Sequence, residues 1–185
     1  LNPWRREGDE IVTEMERQEA AVLRAMVGQV NDMLQARAEE APVDELSELT
    51  GIRTGLSTSP DDPILSRLLP DFHRLDDDQP SKEDLDSAAA LRSIHEPALL
   101  DMKTGVAEVV LETCPPEGGP VRLNLEQADA WLSALNDVRL ALGTALDIDE
   151  DMPDELPDDD PRSGHLPVYH WLTLVQEELI HAVSM

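Results

Sequence analysis

The residues in this chain best suited to chemistry are a lone cysteine, Cys114, and a histidine–carboxylate group near the C-terminus, His170, Glu177, Glu178 and His181. A reactive cysteine works as its thiolate, which cations and helix N-termini favour. Cys114 instead follows the end of a predicted helix and lies between Glu112 and Glu117. There the helix dipole and the carboxylates oppose the thiolate. A redox role for Cys114 is therefore weighed against a structural one. One cysteine excludes an internal disulfide and leaves open a disulfide between two subunits.

His170, Glu177 and His181 share one helical face, and Glu178 with His181 makes one Glu-x-x-His. Di-metal centres in helix bundles use two such motifs plus two further carboxylates. The chain has no second copy, no His-Glu-x-x-His and no cysteine-based zinc spacing. A polar outer face is the expectation, with a metal-dependent helical-bundle enzyme as the alternative.

His95, in His95-Glu96-Pro97, has the chemistry of a general base, but no nucleophile stands near it in sequence. A hydrogen bond at a helix junction is the plainer reading. No phosphate-binding glycine loop, Gly-x-Ser-x-Gly or dinucleotide fingerprint occurs. The chain reads as a non-enzyme with no cofactor.

The segment from Ala130 to Gly143 sets Asn136, Asp137 and Arg139 among apolar residues. Such polar groups in a core-forming helix imply buried hydrogen bonds. With Arg92 and His95 they form a candidate cluster for a structural or interaction role. Arg5, Arg6, Arg92 and Arg139 would matter to a DNA-binding regulator if they converged.

The elements that must position these residues are largely helical. Gly8-Asp9 reads as a turn between two short strands, with Ile11, Thr13 and Met15 alternating on the second. A helix follows from about Glu16 to near Glu39, carrying Val22, Met26, Val30 and Met33, with Leu23, Val27 and Leu34 beside them. Val43 to Leu49 suggests two turns closed by Gly51. Asp62-Pro63 opens a short helix that Pro70 ends. Asp76 to Pro80 reads as a solvated acidic loop. Ser81 and Asp84 form a capping box for a helix to about His95. Pro97 predicts a break there and a new helix up to Pro115.

Gly118-Gly119-Pro120 is a turn into a third strand, Val121 to Leu123. Asn124 and Gln127 cap the helix holding Trp131 and the polar trio. Pro167 opens the last helix, whose apolar stripe is Leu172, Val175, Leu179 and Val183. Between these helices, Asp147 to Asp160 holds nine acids and two prolines, so residues 147–165 read as an acidic mobile loop without EF-hand spacing. The expected fold is a single-domain helical bundle over 1–185 with a minor two- or three-stranded antiparallel sheet.

The chain has 185 residues, enough for one sizeable core, and 41% of them are hydrophobic, in the globular range. Aromatics supply only 3%, so aliphatic residues must fill the core. Forty acids against 14 bases give a net charge of −26, which repels phosphate backbones. Autonomous nucleic-acid binding is disfavoured, and basic protein surfaces or cations are the natural partners. No apolar run suits a membrane span, and Leu1 to Arg6 lacks the apolar core of a secretory leader. The expected location is the cytoplasm.

Several stretches resemble one family in order and spacing. They are Glu19-Ala20-Ala21-Val22-Leu23-Arg24, Asp44-Glu45-Leu46 through Thr50-Gly51, Leu68-Leu69-Pro70-Asp71-Phe72, Leu91 through Pro97, Trp131 through Gly143, and Val168-Tyr169-His170-Trp171-Leu172. Together they are similar to the actinobacterial AosR-like proteins, oxidative-stress transcriptional regulators. The resemblance spans nearly the whole chain. It implies regulation by protein contact, with links to an alternative sigma factor and to thiol-based redox sensing. The acidic surface suits a basic partner such as a sigma factor or RNA polymerase, and the Leu- and Met-rich helix faces leave a homodimer open. Because Cys114 is alone, sensing here would need sulfenylation, a mixed disulfide or an intersubunit disulfide.

Overall fold

Gly8, at a φ of 65°, reverses the chain between β1 (Arg5–Glu7) and β2 (Glu10–Met15). That left-handed backbone favours glycine, as a tight hairpin requires. The third strand, β3 (Gly119–Asn124), pairs antiparallel with β2, with Ile11 opposite Leu123 and Thr13 opposite Val121. The strand order is β1-β2-β3. The computed structural model describes residues 2–42, 45–72 and 81–185.

Six helices accompany this sheet among the described residues: α1 (Arg17–Glu39), α2 (Glu45–Thr50), α3 (Pro63–Leu68), α4 (Lys82–Thr113), α5 (Leu125–Ala145) and α6 (Leu166–Ser184). The protein is mainly α-helical. Capping boxes form at Ser81 with Asp84 and at Asn124 with Gln127, and Asp62 caps α3. These side chains satisfy backbone N–H groups that a helix N-terminus leaves unpaired. The loop expected at Asp76 to Pro80 lies outside the described residues, as do the first two residues of the helix expected from Val43.

The core lies where α5 passes between α4 and α6, with α1 and α3 packed on it and the sheet closing one end. Trp131 of α5 is fully buried and meets Trp4 edge-on, 5.5 Å between ring centroids. Its indole N–H donates to the Thr113 hydroxyl at 2.7 Å. On α1 the buried line is Ala20, Leu23, Val27, Val30, Leu34 and Arg37. Met26 packs only partly buried against that core.

Pro97 does not divide the helix: α4 runs unbroken across it. Proline has no N–H to offer the carbonyl four residues back. That carbonyl, of Ser93, accepts instead from the Gly55 N–H at 2.7 Å. Gly55 packs on the proline ring, where an added Cβ would lie 3.0 Å from the Pro97 Cδ. A distant loop thus supplies the donor that the helix lacks. At the sheet, Gly118 permits a close backbone approach, because a Cβ there would lie 2.7 Å from the Arg17 backbone nitrogen.

Candidate functional site

Charged residues sit at core positions of two helix stripes. On α1, Arg37 continues the apolar line three residues beyond Leu34. On α4, Arg92, Glu96 and Leu100 follow one another at every fourth residue, all buried. Packing α1 against α4 brings these groups together. Arg37 grips the Glu96 carboxylate with two nitrogens, at 2.9 and 3.2 Å, and donates to the Thr58 carbonyl. Arg92 lies 3.6 Å from the same carboxylate and donates to the Leu69 carbonyl and to Asp71. Arg92 also holds the Asp71 carboxyl below the ordinary carboxylate range. Phe72 lies against Arg92, with the guanidinium 5.8 Å from the ring centre.

An open cavity of about 370 Å³ borders the Arg37–Glu96 pair, with Leu56, Pro97 and Leu100 among its walls. That volume suits a small molecule. At its edge Arg37 is engaged with Glu96 and Arg53 with Asp101.

The trio in α5 does not form one cluster. Successive helical residues turn by about 100°, so neighbours in sequence face different partners. Asn136 faces solvent. Asp137 points inward and accepts from Lys103 of α4 at 2.6 Å. Burial raises the Asp137 carboxyl above its usual range, against the lowering effect of Lys103. Arg139 faces α6, donating to Gln176 with its guanidinium 5.7 Å from the Tyr169 ring centre. Arg92 belongs to the separate α1–α4 network, and His95 is exposed with Phe72 beside it.

His170, Glu177 and His181 are exposed on the outer face of α6, opposite its buried stripe of Leu172, Val175 and Leu179. Glu178 is half-buried beside them. Among the described residues no three His, Cys, Asp or Glu side chains converge as metal ligands would.

Cys114 caps the C-terminal end of α4 and is only 1% exposed, with its sulfur 3.8 Å from that of Met15. Arg24 does approach, but it donates to the Leu111 and Cys114 carbonyls. Burial prevails over this cation and pushes the thiol up to about 11. Native Cys114 should therefore react with iodoacetamide at pH 7 at least a hundredfold more slowly than an ordinary exposed thiol. Mass-spectrometric labelling checks this. The rate should climb with pH towards 11 and become ordinary in urea; fast labelling of the folded protein contradicts the burial.

The acidic segment is tied at its ends. Arg162 donates to the Leu146 carbonyl at 3.2 Å and to the Asp160 carboxylate at 2.9 and 3.1 Å. These bonds bring the Asp160 carboxyl down to about 2.

The reading from sequence missed Arg37, Glu96 and Lys103. The signal for the first two was a charged residue occupying a core position of an apolar stripe. Nothing local marked Lys103, whose partner lies 34 residues away.

Fold and polar groups together define a strongly acidic, mainly α-helical protein whose buried charges bind its helices to one another. The model of the family described as a domain of unknown function (DUF2017) matches residues 1–183, and the chain belongs to that family. A relative from Mycobacterium tuberculosis, named oxidative stress regulator AosR, is 44% identical over 180 residues, covering 95% of this chain and 83% of its own length. The Mycobacterium bovis protein of the same name matches equally. A Mycobacterium leprae relative is 44% identical over 170 residues, 89% of this chain and 78% of its own. No solved structure matches. Among the described residues no helix is long and apolar enough to cross a membrane.

Proposed function

We propose that this protein is a cytoplasmic regulator of the oxidative-stress response that acts by docking onto the transcription machinery, a sigma factor or RNA polymerase, and not by catalysis. The observation that carries this reading is the 44% identity, over 95% of the chain, to relatives named as oxidative stress regulators. The net charge of −26 supports a basic partner surface. Electrostatic steering would speed encounter and make it fall with salt. The buried thiol supports a stress input that does not begin at Cys114.

Affinity capture from the source organism with and without peroxide, compared with Cys114→Ser, tests this. Enrichment of sigma factor or polymerase subunits, with any oxidant dependence preserved in Cys114→Ser, is the expected result. Absence of every transcription protein overturns the proposal. Loss of the oxidant response in Cys114→Ser makes the thiol the sensor.

A further inference from the structure

The outer face of α4 carries apolar residues that the fold does not use. Ile94 and Met102 are 60% and 57% exposed. Ala98 lies between them in the helix and is exposed as well. Gly105 extends the same face one turn beyond Met102. Positions 94, 98, 102 and 105 are spaced four, four and three apart, so they line one side of the helix over about 16 Å. Gly105 is the telling residue. Glycine inside a helix is less favourable than alanine by about 1 kcal/mol. Here no atom lies within 4 Å of an added Cβ, so internal packing does not require it.

We infer that this face of α4 is the docking site for a basic amphipathic helix of a protein partner. The occupant follows from shape and charge together. Small residues seven apart, Ala98 and Gly105, alternate along the helix with the larger anchors Ile94 and Met102 and let a second helix backbone approach closely. Carboxylates flank the stripe; one of them, Asp101, is already paired with Arg53. Glu108 and Glu112 are exposed beside it, and neither has an ion pair among the described residues. A second copy would set −26 against −26, and nucleic acid or an anionic membrane is repelled in the same way. The inference locates the contact surface for the proposed regulator, and it rests on that reading only for the partner's identity.

The probe is a fluorescein-labelled 14-residue leucine–lysine peptide that forms an amphipathic helix. Its control is a scrambled peptide of equal composition that cannot present an apolar face. Fluorescence anisotropy on the full chain should give at least tenfold tighter binding of the helical peptide, weakening with salt. The double variant Ile94→Glu/Met102→Glu should lose that preference, and Gly105→Leu should reduce it about tenfold. Leu174→Glu, on exposed α6, should leave it intact. Gly105→Ala should raise Tm by about 2–4 °C, since the fold does not need the glycine.

Equal binding of both peptides, equal loss in Leu174→Glu, or a lower Tm for Gly105→Ala overturns the inference. So does a dimer by light scattering that Met102→Glu dissociates. None of these readouts involves a transcription protein, so failure of the docking face and failure of the proposed function are separable.

Discussion

Glu96→Ala is expected to lower stability by about 3–5 kcal/mol, the loss typical when one partner of a buried ion pair is removed. Glu96 is 1% exposed and faces two guanidiniums, those of Arg37 and Arg92, which are 5% and 2% exposed. Without it, Arg37 keeps the Thr58 carbonyl and a Glu40 carboxylate 3.9 Å away at the surface. A buried cation left with one neutral acceptor and one long contact to a solvent-exposed carboxylate is poorly compensated. Urea denaturation followed by circular dichroism gives the measurement, read as a drop in midpoint at constant m.

Two further variants make the argument specific. Glu40→Ala should change stability by no more than about 0.5 kcal/mol, because its carboxylate is exposed and screened. The double change Arg37→Met/Glu96→Leu should recover much of the loss, since replacing the Arg37–Glu96 pair with apolar groups is often neutral and Arg92 keeps Asp71 and the Leu69 carbonyl. A loss below about 1 kcal/mol for Glu96→Ala would show that the network does not hold α1 to α4.

Trp131→Ala should cost a comparable 3–5 kcal/mol, roughly the range for emptying a buried tryptophan site. Trp131 is fully buried at the meeting of α5, the end of α4 and Trp4. The edge-on contact with Trp4 contributes about 0.5–1.5 kcal/mol beyond area burial. Trp131→Phe separates the causes. It keeps most of the volume but removes the donor to Thr113, whose hydroxyl also donates to the Val109 carbonyl. Its loss should be smaller, about 1 kcal/mol for the hydrogen bond plus a packing term. Thermal and urea unfolding check both variants. If Trp131→Phe proved as damaging as Trp131→Ala, the hydrogen bond and not the packing would dominate.

The family was legible because motifs along nearly the whole chain keep their order, and such order does not depend on knowing contacts. The site was less legible. Asn136, Asp137 and Arg139 stand close in sequence, but the helix turns them towards solvent, Lys103 and Gln176 respectively. The histidines of α6 share a face, but that face is outward because Leu172, Val175 and Leu179 take the core.

What the sequence determined by itself is local. The Gly8 turn, the Asp62, Ser81 and Asn124 caps, and the buried stripe of α6 each follow from interactions within about four residues. Backbone sterics, caps and periodicity act at that range. The continuity of α4 through Pro97 was decided elsewhere, by Gly55, which lies 38 positions before Ser93 and lends its N–H to the orphaned carbonyl. Arg37 and Glu96, 59 residues apart, became a pair only when α1 packed on α4. The burial of Cys114 beside Met15 likewise needed the sheet to close over the end of α4. Buried charges and proline defects require partners, and only chain packing determines which distant groups arrive to provide them.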